Sequence, residues 1–459
     1  MMMRYPRLHK AAWLGVMILM IGAWTSLGCR SRVLAGDVVN DPDLNRHIRR
    51  AIGLKRNAVL DGEAMTRLET LDSTYKRYSY IRNLTGLQYA VNLKELNLSK
   101  NYQIEDLSPL GGLATLEKLV FTENKIRDLT PLAGLKKLVH LEIGYAEIES
   151  LDPLAGLTSL ETLILYENRI EDISALSHLE NLKELDLRAN RISDLSPLAG
   201  AVSLLKADLS TNTIADISPL RGVHTLQKLE LHKNQIRDVS ALSKLKSLKE
   251  INLHGNRIAD ISTLGGLPAL EKANLSSNEI ADISPLTAAL SLQKLELIGN
   301  EIRDISPLAA LKSLGILTLS GNRISDLSPL ADLIQLTHLE LSRNQIDDIG
   351  PLKNLTRLKT LSLWENNLAD PSPLAGLKEL KDLNLGRNRI ENIASLGSLA
   401  SLKDLMLRGN RIDDFSVLLK LPNLTRVYLG GNPYDPEDPA FRTITRNLEK
   451  AGVEVILRD

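Results

Sequence analysis

The chain has 459 residues and no net charge, with 56 Lys and Arg against 56 Asp and Glu. This balance shows no electrostatic footprint for nucleic acid or for an anionic membrane surface, so it disfavours partners that are bound through their phosphates. Aromatic residues make up 3% of the chain and cysteine occurs once, so we expect thin, leucine-rich core layers held by packing rather than by disulfides.

The N-terminus has the order of an export signal: basic residues, the apolar stretch AAWLGVMILMIGAW, then Gly28 directly before Cys29. Leu14–Cys29 resembles the signal peptide and lipobox of bacterial lipoproteins. The resemblance implies that residues 1–28 are removed and that lipid on Cys29 anchors the chain to a membrane.

An uncleaved helix over Ala11–Gly28 is the alternative, because its length falls within the roughly 17–25 residues that span a bilayer. Both interpretations place the remaining chain outside the cytoplasm, facing the periplasm or the cell surface.

A cap is predicted ahead of the main body of the chain. Residues 29–40 are interpreted as a polar, lipidated linker, and residues 41–92 as a helical cap with an atypical first turn. Asn40 or Asp41 is a candidate N-cap for a helix that ends at Gly53. A second short helix is expected around DGEAMTRL.

The segment 93–432 repeats the pattern L-x-x-L-x-L-x-x-N-x-I-x-D-I-S-P-L-x-x-L-x-x sixteen times. The spacing is 22 residues, with one 23 caused by an extra residue in NYQI. The first leucines are Leu93, Leu116, Leu138, Leu160, Leu182, Leu204, Leu226, Leu248, Leu270, Leu292, Leu314, Leu336, Leu358, Leu380, Leu402 and Leu424. This pattern resembles the 22-residue leucine-rich repeats of bacterial internalins and of a regulatory subunit of protein phosphatase 1. The resemblance implies an α/β solenoid, a curved horseshoe with a parallel β-sheet on its concave face and short helices or turns on its convex face.

Each repeated residue has a physical role in such a solenoid. The L-x-L segment forms a short strand whose leucines face the core. The asparagine column, from Asn124 to Asn432, is expected to bond backbone groups of adjacent repeats, with a gap and looser backbone at Ala146. Ser-Pro, as in Ser196-Pro197, is interpreted as an N-cap followed by the first helical residue.

No pattern in the sequence indicates catalysis, a cofactor or a metal site. The repeated aspartates offer one carboxylate per repeat, which favours turn capping over calcium binding. His232 and His254 occupy equivalent positions on adjacent repeats, where they could share a metal ion. Because no third ligand accompanies them, they are interpreted as surface histidines. We therefore expect a protein that is not an enzyme.

Function is expected on the outward strand positions of the concave face, where the repeat varies. Sixteen strands about 4.8 Å apart give a face of roughly 75 Å, which is enough for a protein partner. Lysines and carboxylates form a mixed-charge strip, and the apolar and aromatic residues are the stronger candidates because Trp and Tyr dominate binding hot spots. The candidate contacts are Tyr166, Ile164, Lys206, Asp208, Lys228, Glu230, Ile298, Ile316, Trp364, Met406 and Tyr428, with Val120 as a further exposed residue.

Residues 433–459 are predicted to close the far end, with a helix beginning at Asp438-Pro439, a stop at Gly452 and a strand in VEVIL. Two functions remain open: an exported, lipid-anchored monomer that binds a protein partner through its concave face, or a structural envelope protein without a specific concave ligand.

Overall fold

The computed structural model of the protein describes residues 33–73 and 80–458. The N-terminal cap contains two helices, α1 (Pro42–Ala51) and α2 (Gly62–Met65). Oδ1 of Asp41 accepts hydrogen bonds from the first turn of α1, as an N-cap does. Of the two candidate N-caps, Asp41 is therefore the correct one.

The packed fold extends into the segment that the sequence indicated to be a linker. Val39 is fully buried, and the carboxylate of Asp37 lies inside the cap, where Arg49 Nη2 contacts both of its oxygens at 2.7 and 2.8 Å. The backbone N–H of Leu60 also donates to it at 2.7 Å. Because a buried carboxylate requires such partners, these bonds fix the chain entering α1. Cys29 and the predicted signal lie outside the described residues.

Within the two described ranges, no helix is both long and apolar enough to cross a membrane.

The described residues contain one parallel sheet of eighteen three-residue strands, which pair in chain order. β1 lies in the N-terminal cap, β2 to β17 belong to the sixteen repeats and β18 lies in the C-terminal cap. Within the repeats the middle residue of each strand is buried, which explains the L-x-L pattern. The strands are β1 Thr70–Asp72, β2 Glu95–Asn97, β3 Lys118–Val120, β4 His140–Glu142, β5 Thr162–Ile164, β6 Glu184–Asp186, β7 Lys206–Asp208, β8 Lys228–Glu230, β9 Glu250–Asn252, β10 Lys272–Asn274, β11 Lys294–Glu296, β12 Ile316–Thr318, β13 His338–Glu340, β14 Thr360–Ser362, β15 Asp382–Asn384, β16 Asp404–Met406, β17 Arg426–Tyr428 and β18 Glu454–Ile456. The predicted α/β solenoid, with its parallel concave sheet, is confirmed.

Short 3₁₀-helices form the convex side. They cover Leu87–Tyr89, Ser108–Leu110, Thr130–Gly134, Asp152–Leu154, Ser174–His178, Ser196–Leu198, Ser218–Gly222, Ser240–Lys244, Leu264–Gly266, Ser284–Ala288, Ser306–Ala310, Ser328–Leu330, Gly350–Asn354, Ser372–Gly376, Ala394–Ser398 and Ser416–Lys420. The prediction that serine is the N-cap is wrong by one residue, because Leu195 takes that position and Ser196 begins the helix. Asp194 instead accepts the N–H of Ser196 at 2.8 Å and its hydroxyl at 2.8 Å, which confirms the turn-capping role of the aspartates. These bonds lower the pKa of Asp194.

The asparagines form the predicted ladder. Asn256 Nδ2 donates to Leu253 O in its own repeat at 2.9 Å and to Leu231 O in the preceding repeat at 3.0 Å, and its Oδ1 accepts from Ile236 N at 3.0 Å. The ladder begins one repeat earlier than predicted, with the fully buried Asn101. At Ala146 the side-chain bonds are missing, although the chain keeps the usual turn: Glu147 N donates to Ile126 O at 3.0 Å.

A second column was not foreseen: the residue directly before the asparagine position has a positive φ in all sixteen repeats. Five of these residues are glycine. The others include Lys100, Tyr145, Thr211 and Arg343, with φ between 52° and 61°. Residues other than glycine are strained at a positive φ. The packing of adjacent repeats therefore imposes this turn, and the conformational preference of the residue does not.

The C-terminal cap is built as predicted. Helix α3 (Pro439–Lys450) begins after the N-cap Asp438, and Gly452 has a φ of 85° before β18. Phe441 lies against Phe415 of the fifteenth repeat, with ring centroids 5.8 Å apart, and stacks on Tyr434 at 4.2 Å. The cap thus covers the apolar end of the stack, which a solenoid requires.

Candidate functional site

The concave face presents the first and third residues of each strand. It also presents the residue two positions after the third. Of the eleven candidate contacts, Lys206 is exposed and the other ten are half-buried. The strand register places six of the eleven opposite one another, Lys206 with Lys228, Asp208 with Glu230 and Met406 with Tyr428. The other five have no candidate residue opposite them. The prediction that Val120 is exposed is wrong: it lies between Asn97 and Glu142 on the adjacent strands and is 8% exposed.

Two aromatic residues on this face are held against arginines of neighbouring repeats. We call the first group, Tyr145, Tyr166 and Arg188, the tyrosine stack. The Tyr145 and Tyr166 rings meet edge to face at 5.3 Å, and the Arg188 guanidinium carbon lies 4.2 Å from the Tyr166 centroid. Gly144 makes this possible, because a Cβ there would lie 2.5 Å from Tyr166 Cζ. Tyr145 is 50% exposed. It was not predicted as a contact residue, because it lies outside the alternating strand positions.

Carboxylates of the same face neutralise Arg188. Its Nη1 lies 3.0 Å from Asp186 Oδ2 and 3.7 Å from Asp208 Oδ2. Burial, together with the like charge of Asp208, raises the pKa of Asp186 to about 6, although the backbone N–H and the guanidinium of Arg188 act to lower it. Burial and the nearby Glu142 also raise the pKa of Tyr166. The tyrosine stack is therefore electrostatically compensated from within.

The second group, Trp364 with Arg343 and Arg387, we call the tryptophan stack. The two guanidinium carbons lie 4.7 and 5.4 Å from the Trp364 ring centroid, one on the preceding repeat and one on the following repeat. Nε1 of Trp364 is buried and has no hydrogen-bond acceptor among the residues that the structure describes. The sequence singled out Trp364, but not the arginines, which occupy the positive-φ column.

Between the two stacks, the lysines and glutamates of the mixed-charge strip form ion pairs with one another. Lys228 Nζ lies 3.3 Å from Glu230, Lys272 Nζ lies 2.6 Å from Glu250, and Lys294 Nζ lies 3.1 Å from Glu296. The hydrogen bond from Lys272 lowers the pKa of Glu250. Such surface pairs contribute about 0–1 kcal/mol each, so the strip is a solvated face whose charges largely offset one another.

The two adjacent histidines have separate partners. Nδ1 of His232 lies 3.6 Å from Glu230 Oε2, whereas Nδ1 of His254 lies 3.1 Å from the carbonyl oxygen of Ser276. Among the described residues, no group of three or more His, Cys, Asp or Glu side chains is placed to hold a metal ion.

Comparison with known proteins places this geometry in a family. The family model described as leucine rich repeats in two copies matches residues 91–134, 158–200, 224–266, 246–288, 290–332, 312–354 and 334–375, and a second leucine rich repeat model matches residues 356–412. Curated protein sequences give no match.

Solved structures with the same fold include bacterial and plant proteins. An internalin (inlF) from Listeria monocytogenes is 31% identical over 80% of this chain and 95% of that chain, with a TM-score of 0.58. A leucine-rich repeat protein of Leptospira interrogans is 24% identical over 86% and 97% of the two chains, with a TM-score of 0.69. The plant peptide hormone receptor RGFR1, solved in complex with RGF2, is 21% identical over 79% and 66%, with a TM-score of 0.64. The chain therefore belongs to the leucine-rich repeat family, as an internalin-like member.

Proposed function

We propose that this protein is an exported scaffold, lipid-anchored at Cys29, that binds a protein partner through its concave face. The observation that carries the proposal is the pair of aromatic–arginine stacks at Tyr166 and Trp364. Tyr and Trp bury large areas at interfaces with little loss of rotamer freedom. Here both rings are half-buried and oriented by neighbouring repeats, so little further ordering is needed on binding.

The complex of RGFR1 with RGF2 supports the same reading, because a receptor of this fold is solved with a peptide ligand. A nucleic-acid partner is disfavoured by the balanced charge of the chain.

Capture from native envelope and surface extracts tests the binding function. The bait is residues 30–459, which include every core residue of the two described ranges, from Val39 to Val453. A second bait carries Tyr166→Ala, Trp364→Ala and Tyr428→Ala. The matched control bait carries Val202→Ala, Leu290→Ala and Ile334→Ala, three residues more than half exposed on the turns that precede the strands.

A protein retained by the first and control baits but lost from the second supports concave binding. If all three baits retain the same proteins or none, the proposal is refuted, and the structural envelope role is the reading to pursue.

Lipid anchoring is tested separately in cells. Labelled palmitate is expected to enter the wild-type chain and not a Cys29→Ala variant, and the variant is expected to leave the membrane fraction. An unlabelled wild-type chain in the membrane fraction would instead favour the uncleaved N-terminal helix.

A further inference from the structure

We propose that the tryptophan stack and Arg408 together form a binding site for an acidic segment of a protein, with Arg387 and Arg408 pairing its carboxylates. This inference rests on the proposed concave binding function and specifies the chemistry of the partner. Its basis is a contrast between the two stacks, which share an aromatic ring and a guanidinium but differ in charge compensation.

Arg408 lies on the repeat next to Arg387, whose backbone N–H donates to Arg408 O at 2.7 Å. Gly386 lies between Trp364 and Arg408: a Cβ at this glycine would lie 3.0 Å from Trp364 Cδ1 and 3.3 Å from Arg408 Cγ. A side chain at residue 386 would therefore press on both the ring and the arginine stem, and both would have to shift to admit it. A guanidinium that stacks on a ring still presents its N–H groups along its edge, where a carboxylate accepts two hydrogen bonds.

Among the described residues, no ion pair compensates the charges of Arg387 and Arg408. In the described part of the chain, no carboxylate lies within ion-pair distance of Arg387 or Arg408, whereas Arg188 of the tyrosine stack contacts both Asp186 and Asp208. Arg343 differs again, because its Nε donates to Glu365 Oε2 at 3.1 Å.

The acidic residues on the adjacent strands have other partners. Asp404 lies 3.6 Å from Arg426, and Asp382 accepts a hydrogen bond from the Thr360 hydroxyl at 3.4 Å. A carboxylate for Arg387 and Arg408 would thus come from another molecule.

The state of Trp364 agrees with a binding role. Buried side-chain donors in folded proteins are nearly always paired, and Nε1 of Trp364 is an exception among the described residues. A ring selected for packing alone would be better served by an apolar side chain. The half-buried ring of Trp364 keeps part of its surface available for contact with a partner.

The protein carries its own reporter for the test. The three tryptophans are Trp13, Trp24 and Trp364, and the first two precede Cys29. In residues 30–459, tryptophan fluorescence therefore comes from Trp364 alone. Fluorescein-labelled hexaglutamate is titrated with this protein at low ionic strength, and both peptide anisotropy and the fluorescence of Trp364 with unlabelled peptide are followed. Hexalysine is the probe of opposite charge.

Three variants separate the arginines of the site from the others. The Arg387→Gln/Arg408→Gln variant is expected to bind hexaglutamate at least tenfold more weakly. The matched control Arg188→Gln removes an arginine that also stacks on an aromatic ring, and is expected to leave the affinity unchanged. The Arg387→Lys/Arg408→Lys variant keeps the charge and is expected to lose less affinity than the glutamine variant. Unfolding in urea monitors the integrity of each fold.

Hexaglutamate binding that perturbs Trp364 and depends on Arg387 and Arg408 supports the site. The proposal is overturned if hexaglutamate does not bind, if it binds without affecting Trp364, if the glutamine variant and Arg188→Gln bind equally, or if hexalysine binds as well. Stronger arginine-dependent binding of inorganic polyphosphate than of hexaglutamate would also overturn it, by assigning the site to phosphate.

Failure of the hexaglutamate experiment is distinguishable from failure of the capture experiment. Concave capture without hexaglutamate binding leaves the general function standing and removes this site. Hexaglutamate binding without capture leaves an acidic-ligand site and removes the general proposal.

Discussion

Replacement of Asn256 by alanine tests the asparagine ladder directly. The 8% exposed side chain makes three hydrogen bonds, to Leu253 O, to Leu231 O and from Ile236 N, with lengths of 2.9 to 3.0 Å. A net contribution of about 1 kcal/mol per bond gives roughly 3 kcal/mol for the side chain.

The neighbouring asparagines reduce this figure slightly. Leu231 O still accepts from Asn234 Nδ2 at 3.0 Å, and Leu253 O still accepts from Asn278 Nδ2 at 3.0 Å. The N–H of Ile236, however, loses its acceptor inside the core. We therefore expect the Asn256→Ala variant to lose about 2–3 kcal/mol of unfolding free energy.

Equilibrium unfolding in urea, followed by far-UV circular dichroism, measures the difference. The matched control is Asn354→Ala, on an exposed convex residue whose side chain makes no hydrogen bond with any residue that the structure describes. The control is expected to stay within about 0.5 kcal/mol of the wild type. Equal stability of the two variants would refute the ladder as a source of stability.

Three further changes follow from the same frame. Ala146→Asn restores the missing ladder position and is expected to stabilise the fold by about 1–2 kcal/mol in urea unfolding, because the Ile126 N–H gains an acceptor. Thr211→Gly relieves a β-branched residue with a φ of 55°, and we expect a gain of about 0.5–1 kcal/mol in the same assay after the greater chain entropy of glycine is subtracted. Asp186→Asn is expected to stabilise the fold at pH 7.5 by about 1–2 kcal/mol, after allowance for solvent screening, and to have little effect at pH 4. The folded-state pKa of about 6 exceeds the usual value, so the stability that the protonated Asp186 contributes is present at low pH and lost as the pH rises through 6.

Each of these changes has an outcome that contradicts it. A destabilising Ala146→Asn would mean that this turn cannot admit the asparagine rotamer of its neighbours. Gly255→Thr, at the equivalent position with a φ of 69°, should cost about as much as Thr211→Gly gains, and a neutral result for both would remove the strain argument. For Asp186→Asn, an effect independent of pH would show that ionisation is not its cause.

The solenoid fold was predictable because the same sequence pattern recurs in every repeat. Sixteen copies of one pattern fix the strand register and the inward asparagines, and Asp41 and Asp438 mark the helices of the caps. The positive-φ column was not predictable, because it has no common residue type: its occupants range from Gly255 to Thr211.

The environment of the candidate site was predictable only in part. The strand alternation identified Trp364 and Tyr166 as outward residues. Their exposure depends on side chains one repeat away, such as Arg387 and Arg188, and on the absence of a Cβ at Gly144 and Gly386. The N-cap error at Ser196 has a similar origin, because Asp194 supplies the capping oxygen from outside the helix.

The pairing register determines which lengths of insertion or deletion the repeats can accommodate. Strands pair between residues 22 positions apart, as Lys206 does with Lys228, and the ladder bonds join positions in adjacent repeats at fixed offsets. Removing or duplicating 22 consecutive residues inside the array would reconnect equivalent positions and preserve every type of contact. A change of any other length must be absorbed in a turn, as the extra residue is at Tyr102, with its φ of 61°. The span of the concave face can therefore be lengthened or shortened in whole repeats without redesign of the core.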